Sequence, residues 1–198
     1  MTRQPLLRVA RWSDARRIAE LFRISSEGVA DYVWRRLGGP HADPLAVGTA
    51  RYGRDEGAFS YRNCIVAECD REVVGMAHAF VVPEAEETER EDDPVLRPFA
   101  ELELPGSLYL AALAVLPAYR GHGLGTRLLE ATHERSWLLG CDQVSLLCFE
   151  ENAGALRLYR RRDYRLLDWR RLVPHPLIHA AGDVLLLAAP CRPMAAAA

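Results

Sequence analysis

The stretch Leu113-Ala-Val-Leu-Pro-Ala-Tyr-Arg-Gly-His-Gly-Leu-Gly-Thr-Arg-Leu-Leu129 decides the fold. Its first residues extend an apolar run that begins at Ser107, which predicts a buried strand. Pro117 follows the strand, and glycines at 121, 123 and 125 lead into a helix. Glycines leave backbone N–H groups unobstructed, and a helix N-terminus adds unpaired donors and the positive end of a dipole. The stretch therefore predicts a cradle for an anion such as a pyrophosphate.

Three blocks around this loop resemble signatures of the GCN5-related N-acetyltransferase (GNAT) superfamily. Arg120-Gly-His-Gly-Leu-Gly125 matches its Arg/Gln-x-x-Gly-x-Gly/Ala loop, and Leu113-Ala-Val-Leu-Pro117 resembles its fourth strand. Asn152-Ala-Gly-Ala155, followed by Leu158-Tyr159, resembles its Asn-x-x-Ala-x-x-Leu-Tyr helix. Three blocks in the family's order are far more specific than one glycine-rich loop. The chain is identified as a member of this superfamily, and we expect a bacterial one.

Patterns along the rest of the chain predict an α/β (α+β) fold. Apolar runs predict strands near 6–10, 63–68, 73–82, 107–116, 143–149, 164–173 and 183–189. Helical spacing and caps predict helices after Ser13 or Asp14, over 27–37, after Asp43-Pro44, up to about Leu139, and from Asn152 to about Arg161. We expect a mixed, mostly antiparallel central sheet of 6–7 strands with helices on both faces. The resemblance adds a splayed parallel pair, 107–116 with 143–149, that forms an acetyl-CoA cleft.

The side chains of the helix before Gly140 divide into an inner and an outer face. Helical spacing places Leu128, Leu129 and Trp137 on the inner face. On the second helix, Tyr32 and Trp34 either line an acceptor pocket or belong to the core.

Length and composition predict a single globular domain over 1–190, followed by a tail at 191–198. Within the domain, the resemblance makes 26–62 a helical segment on the acceptor side. We interpret 83–106 as an acidic insertion, because 84–93 holds seven acidic residues and one arginine. This acidic run is either a solvated loop or a flap that attracts a cationic substrate.

Composition also excludes several function classes. All 25 cationic residues are arginines, so no lysine is present for a pyridoxal-phosphate Schiff base, a Walker A loop or a protein-kinase site. The net charge of −2 argues against a nucleic-acid partner. Five cysteines without a Cys-x-x-Cys pair fit a reducing cytoplasm. No apolar run is long enough to span a membrane, and His175 and His179 lack the third ligand of a metal site.

The resemblance implies acetyl-CoA as cosubstrate, without a metal. Its pyrophosphate would lie on backbone N–H groups of the loop, and a backbone N–H near Leu113 or Ala114 would hold the thioester oxyanion. Tyr159 would act as the general acid that protonates the departing CoA thiolate. Cofactor contacts are expected from Leu113, Ala114, Val115, Arg120, Gly121, His122, Gly123, Leu124, Gly125, Thr126, Asn152, Ala155, Leu158 and Tyr159.

The general base departs from the family pattern. Some relatives carry a glutamate near the start of the fourth strand, where this chain has Ser107, which cannot act as a base at neutral pH. Glu101 and Glu103 lie just upstream at odd-numbered positions like Ser107, and Tyr109 lies on the same face of the strand as Ser107. We expect a water-relayed carboxylate from this group, with Glu103 as the candidate base and Tyr109 as a further candidate catalytic residue. The alternative is that both glutamates are simply exposed.

These expectations combine into an acetyl-CoA-dependent N-acetyltransferase that acts by direct attack on the thioester. Its partner would be a primary amine on a small molecule or peptide, not a nucleic acid or a membrane, and a homodimer is left open. We expect it to work in a cytoplasm. The alternative is a non-catalytic acetyl-CoA or CoA sensor on the same fold. The arginines 160–162 have two interpretations. They are either solvated side chains that the dipole favours at the end of the helix, or contacts to the 3′-phosphate of CoA.

Overall fold

The computed structural model describes residues 4–84 and 91–191, which contain seven strands and six α-helices. The strands are β1 (Leu6–Val9), β2 (Cys64–Cys69), β3 (Glu72–Val81), β4 (Leu108–Val115), β5 (Gln143–Phe149), β6 (Arg165–Arg171) and β7 (Asp183–Pro190). The helices are α1 (Ala15–Ser25), α2 (Val29–Gly38), α3 (Pro44–Tyr52), α4 (Arg97–Ala100), α5 (Leu124–Leu138) and α6 (Ala153–Arg160). Short 3-10 helices lie at Trp12–Asp14, Tyr61–Asn63 and Pro117–Tyr119.

The strands form one mixed sheet in the order β1-β2-β3-β4-β5-β7-β6. The pairs β1–β2, β2–β3, β5–β7 and β7–β6 are antiparallel, whereas β4 and β5 are parallel. The parallel pairing joins Leu108–Leu110 to Val144–Leu146, and both strands continue past it along the chain. The predicted fold class, with its parallel pair at these two strands, is confirmed.

The described residues fall into two compact units, of which the first comprises 4–79, 112–131 and 177–179. In this unit α1, α2 and α3 share a core with β2, β3 and β4. The core includes Ile18, Leu21, Trp34, Tyr52, Val66, Met76 and Ala114. Gly75 faces the other way from Met76, and a Cβ on it would lie 3.3 Å from Leu128 of α5. Helices therefore cover both faces of these strands, as predicted.

The second unit comprises the remaining described residues. Its core contains Leu102, Leu172, Val184 and Leu186, with Phe99, Leu147 and Phe149 packed against them. The helix α4 was not predicted. It follows Asp93, whose carboxylate accepts hydrogen bonds from the N–H groups of Val95 and Leu96 at 2.7 and 3.3 Å.

The predicted inward orientation of Trp137 is wrong, and most of the predicted acidic run lies outside the described residues. Leu128 and Leu129 are buried as expected, but Trp137 is 56% exposed. The inward positions of this turn belong to Thr132 and Ser136, which are fully buried, so the buried stripe follows four-residue steps from Leu128 and misses Trp137. Within the acidic run, 85–90 lie outside the described residues. None of the described helices is long and apolar enough to cross a membrane.

Candidate functional site

The glycine loop of the first unit has the geometry of an anion cradle. Gly121 and Gly123 have φ angles of 79° and 78°, which side chains rarely adopt. A Cβ at either position would meet no atom within 4 Å, so the space in front of the loop is open. The backbone N–H groups of residues 121–126 donate to none of the described residues. Such free donors at the start of α5 favour an anionic ligand.

Side chains of the loop take different parts in this arrangement. The Arg120 guanidinium Nε donates to the carbonyl oxygen of Val115 at 2.8 Å, which ties the loop to the end of β4. His122 is exposed. Leu124 is 3% exposed and points into the core, so only its backbone can meet a ligand.

The end of β4 carries the backbone expected to face the thioester. Ala114 is buried, and Leu113 and Val115 are half-buried. A Cβ on Gly75 of β3 would lie 2.9 Å from the Ala114 carbonyl oxygen, which is shorter than real contacts allow. Glycine is therefore required for the close approach of β3 to this part of β4.

In the second unit, α6 begins as the sequence predicts and buries Tyr159. The Asn152 side-chain oxygen accepts a hydrogen bond from the Ala155 N–H at 3.0 Å and caps the helix. Ala155 and Leu158 are half-buried. Tyr159 is 7% exposed, and its ring centroid lies 5.4 Å from that of Tyr164.

The three catalytic candidates are electrostatically linked in this unit. Burial, with smaller effects of Cys148 and Tyr109, raises the pKa of Tyr159. Burial and the neighbouring Glu103 carboxylate raise the pKa of Tyr109. Glu101 and Glu103 are both exposed, and partial burial of the Glu103 carboxylate raises its pKa, which moves a carboxylate towards the range of a useful base. The fold thus brings Glu103, Tyr109 and Tyr159 into one neighbourhood.

Ser107, by contrast, is locked into the structure. It is 2% exposed, and its hydroxyl donates to the Leu104 carbonyl oxygen at 2.7 Å. Its oxygen lies 2.6 Å from the Ser145 hydroxyl, which must then be the donor, because a serine has a single O–H.

Cys148 is a neighbour of Tyr159 that the sequence analysis does not single out. Burial raises the pKa of its thiol to about 12. Because the thiolate is the nucleophilic form of cysteine, Cys148 is inert at neutral pH. Its place beside Tyr159 follows from β5 lying near α6, which no local pattern encodes.

The two neighbouring tyrosines differ in their hydroxyl groups. The Tyr164 hydroxyl lies 3.0 Å from His133 Nε2, and burial together with Arg162 lowers the pKa of that histidine. The Tyr159 hydroxyl makes no hydrogen bond with any residue that the structure describes. It is therefore available to a ligand. Residues 4–84 and 91–191 contain no group of three or more His, Cys, Asp or Glu side chains arranged for a metal.

Comparison with known proteins places the chain among acetyltransferases. The sequence profile of the acetyltransferase (GNAT) family matches residues 31–164. The chain is 30% identical over 105 residues to the GCN5-related N-acetyltransferase 10, chloroplastic, of Arabidopsis thaliana, which covers 53% of this chain and 40% of that relative. The chain spans less than half the length of the curated relatives it matches.

Solved structures share the fold at low sequence identity. A crystal structure of an acetyltransferase superposes with a TM-score of 0.67 at 18% identity, covering 94% of this chain and 100% of the other. The NatC complex bound to Gag peptide and CoA contains a chain with a TM-score of 0.55 at 18% identity, covering 95% of this chain and 99% of that one.

Proposed function

The chain belongs to the acetyltransferase (GNAT) family, and from this premise we propose that it transfers an acetyl group from acetyl-CoA to a primary amine. The observation that carries the proposal is the loop of residues 121–126, with its free N–H groups and left-handed glycines. A pyrophosphate is the part of acetyl-CoA that such a loop suits. CoA in the NatC structure supports the choice of cosubstrate.

Binding of acetyl-CoA would use backbone groups more than side chains. The loop from Arg120 to Thr126 takes the pyrophosphate, while the backbone of Leu113 to Val115 runs beside the pantetheine. The parallel pairing of β4 with β5 ends at Leu110, and these three residues follow it along β4. The end of the pairing there supports the prediction that the two parallel strands splay apart. Asn152, Ala155 and Leu158 add contacts from α6.

The reaction is a direct attack of the neutral acceptor amine on the thioester carbonyl carbon. Glu103, through a water molecule, takes a proton from the amine, and its raised pKa suits that task. A backbone N–H at Leu113 or Ala114 stabilises the oxyanion. As the C–S bond breaks, Tyr159 gives its hydroxyl proton to the CoA thiolate. The amide and free CoA are the products.

The environments of Cys148 and Tyr159 fit a direct attack on the thioester. Burial holds the thiol of Cys148 in its neutral form, so it is unsuited to accept the acetyl group. Tyr159 has a free hydroxyl and a raised pKa, so it stays protonated until negative charge develops on the sulfur beside it.

Several finer points belong to the same proposal. The single domain over 1–190, the acceptor side at 26–62, the acidic insertion at 83–106, and a bacterial cytoplasm as the place of action all stay predictions. So does the acceptor itself, a small-molecule or peptide amine.

An acceptor-panel assay tests the proposal. The purified chain is mixed with acetyl-CoA and polyamines, aminoglycosides, amino acids and short peptides, and released CoA thiol is measured. Amine-dependent release is the expected result. Acetyl-CoA binding without release for any amine would favour the sensor, and absence of both would overturn the proposal.

A further inference from the structure

From the end of α3 we infer an anion-binding site formed by Arg51, which lies over the ring of Phe59, and the neighbouring Arg54, and suited to a carboxylate of the acceptor molecule. The inference rests on the proposed function, because it assigns this part of the first unit to the acceptor.

Arg51 is held in place without an anionic partner among residues 4–84 and 91–191. Its guanidinium carbon lies 4.3 Å from the Phe59 ring centroid, a cation–π distance. The residue is half-buried, and it makes no ion pair or side-chain hydrogen bond with any described residue. Buried charges are normally paired, so an arginine in this state is prepared for a ligand.

Arg54 adds a second positive charge beside the first. Its Nε donates to the Arg51 carbonyl oxygen at 3.1 Å, and no described carboxylate pairs with it. Burial, and then the charge of Arg54, lower the pKa of Arg51. Two like charges this close repel each other, and an anion between them would relieve the repulsion.

Nearby carboxylates do not fill this role. Asp55 is occupied on the other side, because it accepts hydrogen bonds from Arg62 at 2.6 Å and from the Tyr61 hydroxyl at 2.7 Å. Among the described residues, the charged groups that shift the pKa of Arg51 are Arg54 and Tyr52, and neither is a carboxylate.

The helix end itself explains only part of this cluster. Arginine is favourable in the last turn of a helix, whose C-terminus carries about half a negative charge. Two guanidinium groups exceed that charge, so the site keeps a net positive charge.

The contact between Arg51 and Phe59 selects the class of ligand. The Arg51 guanidinium carbon lies over the Phe59 ring, and Phe59 is itself held by Phe22, Tyr52 and His78, with ring centroids 5.1 to 6.1 Å away. The guanidinium N–H donors make no hydrogen bond to a described residue, so they stay available for a planar carboxylate. An acceptor with both an amine and a carboxylate, such as an amino acid, fits this chemistry.

The test uses acceptor pairs that differ only in the carboxylate. L-Lysine is compared with 1,5-diaminopentane, L-methionine with 3-(methylthio)propylamine, and L-phenylalanine with 2-phenylethylamine. O-Phosphoethanolamine against ethanolamine reports whether a phosphate serves instead. CoA release gives kcat/KM, and calorimetry in the presence of CoA gives binding of each amine without turnover.

We expect the carboxylate member of a pair to be preferred by about 10- to 100-fold, as for a hydrogen bond to a charged group. Arg51→Gln should abolish the preference, and Arg51→Lys should retain part of it. The matched control is Arg16→Gln, which removes an exposed arginine of α1 that pairs with Glu20 and should leave the preference unchanged.

Three results would overturn the inference. They are equal use of both members by the parent chain, a preference that survives in Arg51→Gln, and a preference for phosphate alone. The first two leave the proposed acetyl transfer intact if CoA is released. If no amine releases CoA, the proposed acetyl transfer is refuted, and calorimetry alone tests the anion site. Equal binding of both members of every pair would then overturn the anion site.

Discussion

Replacement of Tyr159 by phenylalanine separates acetyl transfer from acetyl-CoA binding. The side chain is 7% exposed and packs against Tyr164 with the ring planes tilted by 52°, so phenylalanine keeps the ring contacts. The lost hydroxyl has no hydrogen bond to a described residue. We therefore expect the free energy of unfolding in urea to change by less than about 1 kcal/mol.

The effect on turnover should be far larger than the effect on folding. The raised pKa of Tyr159 keeps its proton available at neutral pH, and a general acid contributes about 100- to 10,000-fold to a rate. We expect kcat to fall within that range in the CoA-release assay. The Kd for acetyl-CoA, measured by calorimetry, should change little.

Tyr164→Phe is the matched control, because it removes the same atom from the neighbouring ring. The Tyr164 hydroxyl is bound to His133, so its loss should cost about 1 kcal/mol of stability and leave kcat nearly unchanged. An unaltered kcat in Tyr159→Phe would remove Tyr159 from the mechanism. A weaker Kd that accounts for the whole loss would make it a binding residue.

Three further predictions concern the base, the pH dependence of stability and the core. In the parent chain, kcat/KM should fall at low pH as Glu103, whose pKa is raised, takes up a proton. Glu103→Gln should remove this fall from the pH–rate profile, and a fall that persists in the variant would exclude Glu103 as the base. Burial acts to raise the pKa of Asp14, but the Arg8 guanidinium at 2.7 Å lowers it overall. The ionised Asp14 carboxylate therefore stabilises the fold above its unfolded-state pKa, and this stabilisation is lost as pH falls through the folded-state pKa. Asp14→Asn should lower the free energy of unfolding by about 1–3 kcal/mol at pH 7 and weaken the loss of stability at acid pH in chemical denaturation. An unchanged loss at acid pH would refute this. Gly48→Ala would place a Cβ 2.6 Å from Trp34 Cε2 and should cost about 1–3 kcal/mol in urea denaturation; no loss would show that the Trp34 ring can move aside.

Local signals in the sequence account for most of the fold. Asp43 caps α3 by accepting from the Leu45 N–H at 3.1 Å, with Pro44 as the first helical residue. Asp70 and Arg71 form the hairpin turn between β2 and β3 with φ angles of 50° and 68°. Asp163 takes the left-handed conformation at 62°, which aspartate tolerates better than most residues. In each case the chemistry of a few neighbouring residues sets the backbone.

What the sequence could not predict depends on residues brought together by the fold. The contact of Arg51 with Phe59 and the hydrogen bond between the Tyr52 hydroxyl and His78 Nδ1 at 3.1 Å join separate elements. Trp34, left open between an acceptor pocket and the core, is 1% exposed and belongs to the core. Its place depends on Gly48, whose missing side chain makes room for the indole.

Calorimetric titration of acetyl-CoA tests most directly whether the glycine loop holds the cosubstrate. Gly123→Val would place a side chain in the open space of the loop. Gly140→Val is its control, since Gly140 has a similar φ of 72° and equally open surroundings at the far end of α5. We predict that the parent chain and Gly140→Val bind acetyl-CoA, and that the folded Gly123→Val binds at least about tenfold more weakly, a loss of about 1.4 kcal/mol. Equal affinity of the two variants, or no binding by the folded parent chain, would contradict this role of the loop.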